Sequence, residues 1–247
     1  LNTLHKEGAQ FARPDLERER RKGVPEVILA SNKTVAQSLT IARIFLERTG
    51  RAILSRVPPE LESALIEEHA QCEFEWYAAS RTAILRNAKF SAPQTGGLVG
   101  ILTAGTSDQP IAEEAGIVCR EMGCTVLTAY DVGVAGLHRL FDPLKQFLSQ
   151  GVDVLIVAAG MDGALPSVVS GLVDVPVIGL PTSVGYGMGG QGQAALLAML
   201  QTCSPGLAVV NIDNGVGAGA MAALIANRAA AARQGTSSAI PQATAMD

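Results

Sequence analysis

Apolar and polar positions divide the chain into two stretches of different character. In the first, "VPEVILA" (24–30) reads as a strand. The segment "SNKTVAQSLTIARIFLERTG" (31–50) follows, with apolar residues at Val35, Leu39, Ala42 and Leu46. That spacing is one face of a helix, which Asn32 or Thr34 is placed to cap and Gly50 to stop. "RAILSRV" (51–57) reads as a strand, and "PPELESALIEEHA" (58–70) as a helix opened by proline. "CEFEWYAASRTAILR" (72–86) alternates partially and reads as one further strand. A polar, Arg- and Glu-rich segment (1–24) precedes these elements and reads as a solvated helix or arm. "NAKFSAPQTGG" (87–97) reads as a linker.

From Leu98 the pattern changes to continuous apolar runs: "LVGILTA", "TVLTAY", "DVLIVAA", "VPVIGLP" and "LAVVNI". Helical stretches at 110–122, 137–150, 165–173, 191–200 and 218–231 lie between and after them. Apolar strands alternating with helices predict an α/β fold, a parallel sheet covered on both faces. Ligands of such sheets lie at the carboxyl ends of the strands, near the reversal of strand order. The expected organisation is an amino-terminal arm and small α/β domain over 1–90, a core over 98–232, and a disordered tail over 233–247.

Composition narrows the function. Aromatic residues are 4%, and the net charge of −4 gives no basic field for nucleic acid. No apolar run reaches the length of a membrane span. No signal pattern opens the chain, so the expected setting is cytoplasmic; a first residue of Leu reads as an incomplete start. Cys72, Cys119, Cys124 and Cys203 form no CxxC pair, which argues against zinc and a disulfide framework.

The chemistry gathers where strands end. Gly105-Thr106-Ser107-Asp108 follows the first strand of the core and offers backbone N–H groups at a helix start. Simple capping by Ser107 or Asp108 is the competing reading. Tyr130 and Asp131 follow the second strand, and His138 with Arg139 lie further along the same joint. Asp162 follows the third strand and Asp213 the fifth. Three carboxylates after three strands suggest a magnesium or general-base site. After the fourth strand, five glycines occupy positions 185–192, a density that suits close backbone approach to a ligand. Cys119 and Cys124 read as packing residues. Cys203 stands between a helix end and a Pro-Gly turn, and its position alone leaves nucleophile and packing residue both open.

Taken together, "GTSDQP", "GMDGALPSVVSGL", "VPVIGLPTS", "GYGMGG", "DVGVAGLHRL" and "AALLAMLQTCSPGLAVVNIDNGVGAG" resemble the pyridinium-3,5-biscarboxylic acid mononucleotide synthases. These carboxylases open biosynthesis of the nickel-pincer cofactor of lactate racemase. The core is also similar to the aminoimidazole ribonucleotide carboxylases and mutases, which implies a flavodoxin-like three-layer fold with a five-stranded sheet. Their Ser-Ala-His-Arg is replaced here by Thr128-Ala129-Tyr130-Asp131, and their His-Leu-Pro by Ala164-Leu165-Pro166. Both histidines of the purine enzymes are therefore missing.

The resemblance implies carboxylation of nicotinic acid adenine dinucleotide at ring carbon 5, with carbon dioxide or bicarbonate as the second substrate. It also implies cleavage of the phosphoanhydride with magnesium, releasing AMP. Cys203 becomes the nucleophile, expected on the face that carries the joints. Asp162 becomes the base, with Asp131 or His138 as alternatives. The joints themselves offer Gly105, Thr106, Ser107, Asp108, Gly187, Gly189, Gly190 and Asn214 as expected substrate contacts, and Asp108 and Asp213 are the carboxylates expected to hold the metal. A homo-oligomer, an octamer by analogy, is expected, since the helix over 218–231 presents few charges. A non-catalytic nucleotide-binding module and a plain aminoimidazole ribonucleotide carboxylase are the competing functions.

Overall fold

The computed structural model describes residues 12–88 and 90–235. Residues 1–11 of the arm and the tail from residue 236 lie outside the described residues. The chain divides into two compact units between Ser91 and Ala92.

The amino-terminal unit contains α1 (Arg18–Lys22), β1 (Val27–Leu29), α2 (Val35–Thr49), β2 (Arg51–Ser55), α3 (Pro59–Glu68), β3 (Glu73–Tyr77) and β4 (Thr82–Arg86). Thr34 caps α2: its hydroxyl accepts from the Gln37 N–H, and the Gln37 side chain accepts from the Thr34 N–H. Gly50, at φ 80°, ends the helix in the left-handed region. The sheet order is β1-β2-β4-β3, with β1 and β2 parallel and the rest antiparallel. The expected single strand over 72–86 is thus a hairpin, β3 and β4. Its turn puts Arg81 at φ 50°, a conformation that no Asn-Gly pair announces. Ile41, Phe45, Leu54, Leu61, Leu65 and Leu85 pack between this sheet and its helices.

The second unit contains β5 (Leu98–Thr103), α4 (Gln109–Glu121), β6 (Thr125–Ala129), α5 (His138–Ser149), β7 (Val154–Ala159), α6 (Ala164–Ser170), β8 (Val177–Pro181), α7 (Gln193–Leu200), β9 (Leu207–Val209) and α8 (Gly215–Arg233). All neighbouring strands are parallel in the order β6-β5-β7-β8-β9. This is a flavodoxin-like α/β fold, with the order reversing between β5 and β7. Every residue of β7 is buried, as a central parallel strand requires. Leu140, Leu144, Phe147, Leu165, Val169 and Met199 bring α5, α6 and α7 onto one face of the sheet.

The other face takes α4 and α8 at backbone distance. A Cβ on Gly219 would lie 2.4 Å from the Ala115 carbonyl oxygen, and one on Gly215 would lie 2.6 Å from that of Ile111. Ala218, Ala222, Ala223, Ala226 and Ala230 continue the small buried stripe of α8. The apolar face expected to need a partner chain is therefore largely covered within its own unit. Among the described residues, no helix is long and apolar enough to cross a membrane.

One polar group in the amino-terminal unit has a stability consequence. His69, at the C-cap of α3, is 4% exposed, and its Nε2 has no hydrogen-bond partner. Burial lowers its pKa from the ordinary 6.5, outweighing the Glu68 carboxylate beside it; Arg43 adds to the lowering. The unfolded chain therefore binds the proton more readily than the folded one. Stability is full above pH 6.5 and falls as pH drops through the folded value. His69→Gln should flatten this acid limb, read by the fluorescence of Trp76, the only tryptophan, during denaturation between neutral and mildly acidic pH. An unchanged slope would show that the imidazole does not titrate with unfolding.

Candidate functional site

The strand-to-helix joints of the second unit all fall on the carboxyl edge of the sheet, and they are tied to one another. After β5, the Asp108 carboxylate accepts the Gly105 N–H at 2.8 Å through one oxygen. Through the other it accepts the Thr182 hydroxyl at 2.6 Å, in a buried bond. Thr182 follows β8, and β7 lies between β5 and β8. The bond therefore passes over the end of β7, where Gly160 sits. A Cβ on Gly160 would lie 2.8 Å from the Thr182 hydroxyl and 2.2 Å from the Val184 carbonyl oxygen. Only glycine fits beneath this bridge.

The remaining carboxylates are set by the backbone. Asp131 follows β6 at φ 59°, and its N–H donates to the buried Thr103 hydroxyl at 3.1 Å. Arg139, on α5, holds the Asp131 carboxylate at 2.5 Å. Met161 stands at φ 52° and donates its N–H to the Val184 carbonyl at 2.8 Å. Next to it, the exposed Asp162 accepts only a long 3.3 Å bond from the Ala164 N–H that opens α6. Asp213, at φ 54°, accepts the Ser183 N–H at 2.8 Å, and its own N–H donates to the Pro181 carbonyl. Non-glycine residues in the left-handed region are uncommon, and Asp131, Met161 and Asp213 bring three of them to this one edge.

The structure therefore brings Asp108, Asp131, Asp162 and Asp213 to the same edge, with Thr106 and Ser107 exposed beside Asp108. His138 is exposed at the first position of α5. Asn214 caps α8, its side-chain oxygen accepting the Gly217 N–H at 2.9 Å. Among the described residues, no group of three His, Cys, Asp or Glu side chains could hold a metal ion. Of the two carboxylates expected to hold magnesium, Asp108 accepts a hydrogen bond at each oxygen and Asp213 accepts the Ser183 N–H.

The glycines of the 185–192 loop, expected to serve a ligand, are for the most part also required by the loop itself. A Cβ on Gly189 would lie 2.3 Å from the Ala194 Cβ, and one on Gly192 would lie 2.8 Å from the Thr182 carbonyl oxygen. Gly187 needs its φ of 75° but has open space around it.

Cys203 is the larger correction. It lies on a helix-to-strand joint, and in a parallel sheet those joints fall on the opposite edge from the strand-to-helix joints. Ser204 donates its hydroxyl to the Ser167 carbonyl at 2.9 Å, and Ser170 donates to the Pro205 carbonyl at 3.0 Å. These bonds fix the turn to the carboxyl-terminal end of α6, at the amino edge of the sheet. The five residues of β8 separate the two edges by about 15 Å. Cys203 is nonetheless the one cysteine classed as exposed. Burial pushes the Cys124 thiol up to about 11 and raises those of Cys119 and Cys72.

Sequence comparison agrees with this architecture. The AIR carboxylase family matches residues 98–243, and the LarB/PurE-like N-terminal domain matches residues 6–87. An uncharacterized protein of Methanocaldococcus jannaschii is 45% identical over 217 residues, covering 86% of this chain and 82% of its own length. The N5-carboxyaminoimidazole ribonucleotide mutase of Thermotoga maritima is 31% identical over 134 residues, 51% of this chain and 73% of the mutase. A probable mutase of the same name from Methanothermobacter thermautotrophicus is 36% identical over 132 residues, 51% of this chain and 37% of that protein.

The chain belongs to the AIR carboxylase family and carries a LarB/PurE-like amino-terminal domain. Its function is accordingly of the carboxylase or mutase type.

The Thr182–Asp108 bridge was not legible beforehand, since its partners are 74 residues apart. Thr182→Val should leave a buried carboxylate oxygen unpaired and cost about 1–3 kcal/mol. Gly160→Ala should cost at least as much, because the clash includes a backbone carbonyl. Urea unfolding followed by far-ultraviolet circular dichroism measures both. A Thr182→Val variant as stable as the parent would show that the bridge does not hold the edge together.

Proposed function

We propose that this chain carboxylates the pyridinium ring of nicotinic acid adenine dinucleotide at ring carbon 5 and hydrolyses its phosphoanhydride, water adding to one phosphorus as the other phosphate leaves. The products are pyridinium-3,5-biscarboxylic acid mononucleotide and AMP. The observation that carries the reading is the exposed Cys203 thiol, in a family whose purine members work with histidines that are absent here.

A pyridinium ring is electron-poor and does not attack carbon dioxide. Addition of the Cys203 thiolate at ring carbon 4 forms a C–S bond and gives a neutral dihydropyridine. Ring carbon 5 is then the nucleophilic end of an enamine and forms a C–C bond to carbon dioxide. The carboxylate of Asp162 takes the proton from that carbon. The C–S electron pair leaves with sulfur, the ring becomes aromatic again, and the thiolate is regenerated. This is nucleophilic catalysis that splits one difficult step into easier ones.

Asp162 suits the role of base better than Asp131. Its carboxylate is exposed and weakly engaged, whereas that of Asp131 is held by Arg139. Thr106, Ser107 and the backbone N–H groups after β5 are suited to the phosphates. Magnesium, with Asp108 and Asp213 as its candidate ligands beside the substrate's phosphates, would offset phosphate charge during the cleavage.

Cys203 and Asp162 stand on opposite edges of one sheet, so the reading requires two copies. The thiol of one subunit must meet the carboxyl edge of another, which makes the active form a homo-oligomer with shared sites. The competing reading, an aminoimidazole ribonucleotide mutase, draws on the named relatives. It lacks the paired histidines in this chain.

Incubation with nicotinic acid adenine dinucleotide and 13C-bicarbonate tests the assignment. The wild-type protein should give a labelled dicarboxylated mononucleotide and AMP. Cys203→Ala should bind the dinucleotide and give no labelled product. Labelled product from Cys203→Ala would eliminate the thiol mechanism.

A further inference from the structure

The loop between β8 and α7 presents two large apolar side chains to solvent: Tyr186 is 82% exposed and Met188 fully so. They flank Gly187, where an added Cβ would meet nothing within 4 Å, and stand between Gly185 and Gly189. The base of the loop is fixed, because the Met161 N–H donates to the Val184 carbonyl and Gly160 lies beneath it. Within the 3-10 turn above, Gly190 donates its N–H to the Gly187 carbonyl at 3.3 Å. Met161 is itself 45% exposed, and its sulfur lies 3.3 Å from where a Gly185 Cβ would be. Exposed large apolar groups gathered on one rim mark an interaction site.

The charges around this rim define what it takes. The joints at the carboxyl edge carry Asp108, Asp131, Asp162 and Asp213, and Arg139 as their sole Lys or Arg. Arg139 is already paired with Asp131. Aromatic and thioether groups above an excess of carboxylate recognise a flat cation: the phenol ring attracts positive charge through its quadrupole, and methionine sulfur packs on ring edges. A neutral ring gains the packing but not the charge term.

We infer that Tyr186 and Met188 close over the substrate's heterocycle and select its positively charged form, with Met161 as the fixed side of the slot. This rests on the pyridinium reading above and adds the residues that choose the ring.

The test uses nicotinic acid mononucleotide and its 1,4-dihydro form, which share ribose, phosphate and carboxylate and differ in ring charge. Isothermal titration on the full-length wild-type protein should show the pyridinium form bound about tenfold more tightly. Tyr186→Phe should keep that preference. Tyr186→Leu should reduce it severalfold through weaker binding of the pyridinium form alone, the carboxylates of the rim keeping the remainder. Tyr186 is exposed, so the fold does not depend on it, and circular dichroism checks that. Equal preference in wild type and Tyr186→Leu would overturn the assignment while leaving the substrate reading intact. Loss of self-association in Tyr186→Leu with unchanged ring preference would also overturn it, by assigning the rim to a second copy of the chain. A wild-type protein that binds neither form would remove both the substrate reading and this one.

Discussion

A single buried hydrogen bond, from the Thr182 hydroxyl to the Asp108 carboxylate, decides much of what the second unit can do. It joins the ends of β5 and β8 across β7, which places three consecutive loops in one layer. The layer closes because residue 160 has no side chain. From there the geometry propagates: Val184 receives the Met161 N–H, Ser183 donates to Asp213, and Asp162 is left facing solvent. The carboxyl edge is thus a tied framework with one lightly engaged carboxylate.

That framework separates structural from reactive polar groups more sharply than residue type does. Asp108 and Asn214 have the chemistry of ligand-binding residues, and both are occupied by the fold, one as a bridge and one as a cap. Asp131 is occupied differently, by the half-buried Arg139 at 2.5 Å. The glycine-rich loop meets its own steric demands and still presents Tyr186 and Met188 outward.

Much of the architecture was legible in the sequence, for physical reasons. Five apolar runs separated by helices specify a buried parallel sheet, and the polar residues following each run locate its carboxyl edge. Thr34 and Gly50 bounded α2 because capping is local chemistry. The β3–β4 hairpin was not legible, since its turn places Arg81 rather than glycine or asparagine at positive φ. The edge on which Cys203 lies was implicit in the helix-then-strand order around it; the resemblance grouped it with the other joints, whereas chain direction through β9 places it at the opposite end of the sheet. Residue spacing carries no record of partners far apart in sequence, so the Thr182–Asp108 bridge was likewise hidden.

The central claim is that catalysis unites the Cys203 edge of one subunit with the Asp162 edge of another. Co-expression of differently tagged Cys203→Ala and Asp162→Asn chains, followed by purification through both tags, measures it directly. Each variant alone should be inactive in carboxylation. The mixed assembly should recover roughly a quarter of wild-type activity if the oligomer is large and about a half if it is a dimer, as random pairing of the two chains dictates. A mixed assembly as inactive as its parents, or a wild-type protein fully active as a monomer, would contradict the account.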